Sequence, residues 1–451
     1  MDTPSLSEKI THRTAKVAVI GLGYVGLPLA LALAKAKFPT VGVEINEERV
    51  EAINAGRSYI EDITDDELRP HVEAGHLRAT TDYDVLSTCD AVFICVPTPY
   101  TVQRSPDLGY IIQATEGIAP RLQPNQLIVL QSTTYPGTTT EVVQPILEEQ
   151  SNLRADADFY LAFSPERIDP GNAQWSAYNT PKVVGGLTED ATTIAAALLR
   201  QMGAPVHEVH SPAAAEMTKL LENTFRAVNI ALVNELALLS ERMDIDFWEV
   251  IEAAKSKPFG FMPFTPGPGV GGHCIPIDPY YLLWKAREYD FYTRFIELAA
   301  ETNEAMPYHV VELVTRGLSA QQKPLQGART LVLGVAFKPD IGDARNSPAR
   351  RVIELLLDRG ADVRYHDPFV PTYPVGGNVF HTESLTLQNV DLTSEEIAAA
   401  DVVVIVTGHH NVDYSAVLDH ADLVIDSCNV TGEYARPEAR ATVLCLGAPQ
   451  V

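Results

Sequence analysis

The sequence is poor in everything that would staple a chain, anchor it in a membrane or bind it to a polyanion. Five of its 451 residues are cysteine, Cys89, Cys95, Cys274, Cys428 and Cys445. They form no CxxC pair and no regular framework, so thiols in a reducing compartment are expected rather than disulfides. No uninterrupted apolar run is long enough to span a bilayer. The amino terminus, MDTPSLSEKITHRTAK, lacks the apolar centre of a signal peptide. A soluble, cytoplasmic protein is therefore expected. Positive charge is scarce as well: 34 Lys and Arg stand against 59 Asp and Glu, a net charge of −25. That argues against nucleic acid and against an anionic membrane surface as partners. An anionic small molecule stays open if its pocket is locally positive.

What is present starts with length, enough for two or three domains whose cores need no staples. One stretch stands apart, residues 265–282, TPGPGVGGHCIPIDPYYL. It sets Cys274 between Gly267, Gly269, Gly271 and Gly272 on one side and Asp278 on the other, with Pro268, Pro276 and Pro279 stiffening the backbone. This is poor material for a helix or a strand. Glycine lets loop amides approach a ligand and accept negative charge, proline holds the turn, and a thiol among donors can act as a nucleophile. A glycine-rich turn that carries an inert buried cysteine remains the alternative.

Residues 16–20 (KVAVI) read as a buried parallel strand running into Gly21-Leu22-Gly23-Tyr24-Val25-Gly26 and an Ala/Leu-rich helix over 27–36. A second strand, 40–43, ends in Glu44, about twenty residues beyond the glycines. Strand, GxGxxG, helix, strand and terminal acid together predict a dinucleotide site. The glycines admit the pyrophosphate, the helix amino terminus faces it, and Glu44 bonds the ribose hydroxyls. An acid there repels a 2′-phosphate, so NAD is preferred over NADP. Arg49 follows on the next segment and joins the cofactor set.

Further strands at 90–96 and 127–131 end in Pro97-Thr98-Pro99 and Ser132-Thr133-Thr134, where ligands sit in doubly wound sheets; ordinary strand-to-helix turns are the other reading. A strand over 159–163 leads into SPERIDPGN at 164–172, and another runs from 182 to 186. From Ser211 a helix without a break to about Arg242 is predicted, with apolar spacing through Met217, Leu220, Leu221, Phe225, Val228, Leu232, Leu236 and Leu239. It reads as a spine and a subunit interface. Lys219 and Asn223 share one of its faces, and solvated surface residues are the default for such a pair. Shorter helices are expected over 248–255 and 281–288, then 295–306, with a linker over 316–329 containing Gly317, Pro324 and Gly327. Strand 330–335, the turn-rich FKPDIGDARNSP at 337–348, helix 349–359 and strands at 362–365 and 401–406 restart the first pattern without its glycine fingerprint. Lys338 and Arg345 in that loop suit a diphosphate. His273 and the pair His409-His410 lack metal spacing, and no metal is expected.

Assembled, these pieces resemble the UDP-glucose/GDP-mannose dehydrogenase family along nearly the whole chain. The motifs that carry the resemblance are GLGYVG at 21–26, STT at 132–134, SPE at 164–166, TKLLEN at 218–223, GGHCIPID at 271–278 and FKPDIGDAR at 337–345. The resemblance implies an α/β chain of two Rossmann-like doubly wound domains joined by a central helical domain with a long spine helix. The expected boundaries are 1–210 for the NAD-binding domain, 211–315 for the dimerisation domain with the cysteine loop, and 316–451 for the UDP-sugar domain. It also implies a homodimer or higher homo-oligomer and a four-electron oxidation of a sugar C6 hydroxyl to a carboxylate, using two NAD.

By the family's pattern Cys274 traps the aldehyde as a thiohemiacetal and carries it as a thioester. Lys219 and Asn223 can donate to the developing alkoxide. Asp278 and Glu166 can order or deprotonate water, which Thr133 can hold. The expected cofactor residues are Gly21, Gly23, Tyr24, Val25, Gly26, Glu44, Arg49, Pro97, Thr98, Thr133 and Arg345. Substrate contacts are expected from Glu166, Arg167, Lys219, Asn223, Pro266, Gly267, Gly269, Gly271, Arg294, Phe337 and Lys338. Within the family, SPERIDPGN and the stretch from Lys257 to Leu282 resemble the branch acting on UDP-N-acetylhexosamines, the N-acetylglucosamine enzymes above all. Pro170 stands where the glucose enzymes carry a second acid, and Pro258 near where they carry an arginine, a charge that Arg294 or Lys257 can supply instead. A UDP-N-acetylmannosamine substrate is the nearest rival, since C2 epimers share every group the chemistry touches.

Overall fold

The computed structural model describes every residue except 1–3, 61–62, 102–104, 169–173, 177, 273 and 450–451. Asp169, Pro170, Gly171, Asn172 and His273 thus lie outside the described residues. The chain divides into two units, Met1–Glu222 with Tyr280–Phe291, and Asn223–Pro279 with Tyr292–Val451.

The strands of the first unit are β1 (Val17–Ile20), β2 (Thr40–Val43), β3 (Leu77–Thr80), β4 (Ala91–Ile94), β5 (Leu127–Leu130), β6 (Tyr160–Phe163), β7 (Lys182–Gly186) and β8 (Val206–Val209). Their order is β3-β2-β1-β4-β5-β6-β7-β8; neighbours are parallel except β6 against β7. Successive residues of a strand point to opposite faces, and here both faces are covered. Val17, Val19, Phe93 and Val129 belong to one core, and Ala18, Ile20, Val92 and Ile128 to the other. That is why the central strands β1, β4 and β5 read as continuous apolar runs rather than alternating ones.

The second unit repeats the plan. β9 (Arg329–Leu333), β10 (Asp362–His366), β13 (Val402–Ile405), β14 (Leu423–Asp426) and β15 (Thr442–Cys445) form an all-parallel sheet in the order β10-β9-β13-β14-β15. A hairpin of β11 (Thr372–Gly376) and β12 (Ser384–Gln388) stands apart from it.

Two expectations from the sequence are corrected. The stretch 316–329 is not a linker from its start, because the helix Arg294–Ala320 runs through Gly317. A Cβ on Gly317 would lie 2.8 to 3.1 Å from the side chains of Leu423 and Leu444, so this glycine marks close packing rather than a break. The stretch 265–282 is likewise not all loop: helix Asp278–Ala286 begins inside it.

The spine helix, Pro212–Arg242, spans 31 residues as its spacing predicts. One row of its apolar residues stays exposed, with Leu221, Phe225, Leu232 and Leu239 between 46 and 61% accessible, whereas Leu220 is fully buried. Lys219 and Asn223, one turn apart on it, are both buried, so they are not solvated surface residues.

Candidate active site

The turn after β1 is shaped by backbone demands. The Gly21 amide donates to Val43 O at 2.8 Å, and Gly21 adopts φ +83° with the Cys95 carbonyl where a Cβ would sit. Gly23, by contrast, faces open space with no atom within 4 Å of its missing Cβ. The helix that follows, Gly26–Lys35, has no side-chain cap, which leaves its first amides to be served from outside. A pyrophosphate fits that cradle. At the end of β2, Glu44 accepts the amides of Leu22 (3.0 Å) and Asn46 (3.1 Å). It is nearly buried, with the Arg49 guanidinium 3.7 Å away. Arg49 also lies over the Tyr59 ring, whose hydroxyl donates to Leu22 O. Tyr24 is exposed and Val25 half-buried beside the turn.

Along the same sheet edge, Pro97 is exposed and Thr98 and Thr133 are half-buried. The Thr98 carbonyl accepts from the Tyr281 hydroxyl. Beyond Thr133 the chain is clasped by Glu216, whose carboxylate accepts the amides of Gly137 (2.6 Å) and Thr139 (2.9 Å) and the Thr139 hydroxyl (2.6 Å). Burial pushes the Glu216 carboxyl up, against the pull of those donors. After β6, Glu166 accepts from Gln131 Nε2 at 2.8 Å and from the buried Lys182. Arg167 is committed to Glu222 through two contacts of 2.5 and 3.2 Å and to the Pro181 carbonyl.

In the second unit the cysteine loop closes on itself, since the Asp278 amide donates to Cys274 O at 2.8 Å and Ile277 does so at 3.0 Å. Asn223 Nδ2 donates to Asp278 Oδ2 at 2.5 Å, both residues buried. Upstream, Asn234 Oδ1 accepts the Gly267 amide and its Nδ2 donates to Asn303, beside the buried Pro266. Cys274 alone of the five cysteines is exposed. Burial pushes the Cys89 thiol up to about 11 and Cys428 up to about 12, and raises Cys95 and Cys445 as well. In those four, burial disfavours the thiolate; Cys274 is the exposed thiol.

The loop docks on residues 337–346. The Gly272 amide donates to Arg345 O (3.2 Å), Asn346 Nδ2 donates to Gly272 O (3.1 Å), and a Cβ on Gly271 would come within 2.6 Å of Phe337 Cβ. Phe337 and Lys338 are half-buried, Arg345 is held by Asp343 through both Nε and Nη2, and Arg294 is exposed at a helix start.

The 337–346 loop is anchored from behind. Asp367, fully buried after β10, accepts the amides of Val335 (2.7 Å), Ala336 (2.9 Å) and Phe369 (2.9 Å). His409 Nδ1 accepts the Asp340 amide at 3.0 Å, so Nε2 carries the ring proton and donates to Asp367 Oδ2 at 3.0 Å. Burial alone would raise the Asp367 carboxyl, but the His409 bond and the amides hold it below the usual carboxylate range.

Within one unit, then, the chain brings together Cys274, Asp278 and Asn223 with the Phe337–Arg345 loop, and within the other Glu44 with the glycine turn. Three groups escaped sequence reasoning: Gln131 with Lys182 behind Glu166, the Glu216 clasp, and the Asp367–His409 anchor. Lys182 carried a signal, a lone charge opening an otherwise apolar strand.

With this geometry in place, the comparisons with known proteins are specific. Residues 15–203 match the NAD binding domain of the UDP-glucose/GDP-mannose dehydrogenase family, 213–305 its central domain and 331–433 its UDP binding domain. A UDP-N-acetyl-D-glucosamine 6-dehydrogenase of Pseudomonas aeruginosa is 38% identical over 79% of this chain and 83% of its own length. A UDP-N-acetyl-D-mannosamine dehydrogenase of Pyrococcus horikoshii is 38% identical over 79% and 84%. The solved structure of a UDP-D-ManNAc dehydrogenase from Pyrococcus horikoshii superposes with a TM-score of 0.87 at 33% identity, covering 97% of this chain and 100% of that one.

Proposed function

The chain belongs to the UDP-glucose/GDP-mannose dehydrogenase family and is an NAD-dependent UDP-sugar dehydrogenase, and from that premise we propose that it oxidises the C6 hydroxyl of UDP-N-acetylglucosamine to the carboxylate. The observation that carries the chemistry is the accessible Cys274 on the same turn as Asp278, itself bonded to Asn223. NAD, held at Gly21–Gly26 and Glu44, supplies the hydride acceptor, two per sugar. Cys274 holds the sugar between the two oxidations. Its sulfur adds to the C6 aldehyde as a thiohemiacetal, remains attached as the thioester, and leaves as the thiol when water attacks. Lys219 and Asn223, buried one turn apart on the spine helix, donate to the oxygen that gains charge in each adduct. Asp278 takes the proton of the attacking water, and Lys338 with Arg345 faces the diphosphate.

The sugar rests on SPERIDPGN, on the prolines at 170 and 258, and on the N-acetylglucosamine relatives at 37 and 38% identity. UDP-N-acetylmannosamine is a second reading, favoured by a relative of equal identity. The product belongs to surface-polysaccharide assembly. The exposed row Leu221, Phe225, Leu232 and Leu239 supports a homodimer.

The test is NADH formed per sugar, with UDP-N-acetylglucosamine, UDP-N-acetylmannosamine, UDP-N-acetylgalactosamine and UDP-glucose side by side. About two NADH with the first sugar alone supports the reading. The same stoichiometry with another sugar overturns only the substrate, and binding without turnover of any sugar makes the chain a silent nucleotide-sugar binder.

A further inference from the structure

Four neighbouring strands of the first sheet each set one polar side chain at the same edge: Cys95 after β4, Gln131 after β5, Glu166 beyond β6 and Lys182 at the start of β7. Because β7 runs antiparallel to β6, with Phe163 opposite Gly185, continuing that register sets Lys182 opposite Glu166. All four are more than nine-tenths buried, Lys182 at 3% and Gln131 at 2% accessible. They form a bonded row. Cys95 Sγ lies 3.9 Å from Gln131 Oε1, Gln131 Nε2 donates to Glu166 Oε2 at 2.8 Å, and Lys182 Nζ stands 3.2 and 3.3 Å from the two Glu166 oxygens.

Glu166 Oε1 turns the other way. It accepts the amides of Arg167 (2.8 Å) and Ile168 (3.1 Å), so the carboxylate curls over its own chain and fixes the turn that follows. Just before it, Ser164 Oγ donates to Val183 O at 2.8 Å, which ties the start of the same turn to β7. Four donor groups therefore meet about four lone-pair positions on Glu166, and none is spare for a water proton among the described residues. An apolar pair would pack this sheet at least as well as a buried lysine and glutamate. What the polar row adds is geometry.

We propose that Lys182 and Gln131 are positioning residues for the sugar nucleotide: they clamp Glu166 from behind so that its other oxygen holds the 164–168 turn in the shape that binds substrate. This rests on the reading that the 164–168 turn meets the UDP-sugar. Water activation then falls to Asp278, and Glu166 acts through the turn.

The experiment measures KM for the UDP-sugar, KM for NAD, kcat and the melting temperature of wild type, Lys182→Met, Lys182→Arg, Gln131→Leu, Glu166→Gln and the double variant Lys182→Met/Glu166→Gln. Lys182→Met is expected to raise KM for the sugar nucleotide about tenfold or more, since small misplacements of positioning groups are costly, with KM for NAD unchanged. Lys182→Arg restores most of it. In the Glu166→Gln background Lys182→Met adds less than about twofold, the signature of a shared path. If Lys182→Met does not fold, Gln131→Leu carries the test, because it removes a donor without stranding a charge; a few-fold rise in the same KM is expected. Melting temperatures that fall with both KM values at wild type mean a structural role and overturn the proposal, as do additive effects in the double variant. A wild type that turns over no UDP-sugar overturns the functional reading and this inference with it, whereas an active wild type beside an unaffected Lys182→Met overturns this inference alone.

Discussion

The two sheets solve one problem at the same place with opposite results. In each, a glycine directly follows the first strand with φ near +80° (Gly21 +83°, Gly334 +80°) and donates its amide to the end of the second strand, at 2.8 Å to Val43 O and 2.9 Å to His366 O. In each, the acid that ends the second strand takes amides from the turn after the first, Glu44 that of Leu22 and Asp367 those of Val335 and Ala336. There the likeness stops. Glu44 keeps a little exposure beside the open space at Gly23, whereas Asp367 is sealed at 0% accessibility by His409. The acid at this position organises the backbone in both sheets, and only in the first is the turn beside it left open.

The comparison breaks hardest at Asp367. Asp367→Ala strands three amides and the His409 ring proton in a dry core, at about 1–3 kcal/mol for each orphaned group, so a loss of at least about 3 kcal/mol is expected from urea unfolding. A loss below about 1 kcal/mol would show that the sealed acid is dispensable. Next come the glycines. Gly334→Ala, with φ +80° and the Thr407 carbonyl where its Cβ would sit, should cost at least about 2 kcal/mol. Gly23→Ala should shift stability by less than about 1 kcal/mol while raising KM for NAD, because it fills the cradle without touching protein. Equal destabilisation of the two would erase the distinction between a closed turn and an open one.

Glu44→Ala sharpens the comparison from the other side. KM for NAD should rise about tenfold, the equivalent of one charged hydrogen bond, with smaller stability loss than Asp367→Ala. An unchanged KM for NAD would make Glu44 purely structural. The smallest effect is a pH dependence. The folded-state value of Asp367 is lowered, so its contribution is present in full above the unfolded value of about 3.9 and is lost as pH falls through the folded one. The stability advantage of wild type over Asp367→Asn should be flat from neutral pH to about 4 and shrink in stronger acid; an advantage that grows in acid contradicts the assignment.

Local patterns were legible because their physics is local. The apolar runs of β1, β2 and β7, the glycine turn, Glu44 and the spine helix depend on residues within a few turns of one another. Element ends and breaks were less so: Gly317 reads as a breaker until Leu423 and Leu444 are seen against it, and Asp278 reads as loop until it opens a helix. Cys274 could be singled out from its surroundings in sequence, but not told from an inert thiol. The difference lies in the full or partial burial of the other four cysteines and the exposure of this one, which no local pattern encodes.

The sequence by itself determined the α/β plan, the dinucleotide turn and the family, because strand runs, glycine turns and motif spacing are written along the chain. Only the tertiary structure decided which polar groups are spoken for. Glu166 is clamped by Gln131 and Lys182, Arg167 is committed to Glu222, and Asp367 is closed off by His409. Each of those pairs joins residues from 16 to 55 positions apart. A carboxylate's role depends on how many donors already occupy its lone pairs, and donors gathered from that far are brought together by the packing of strands.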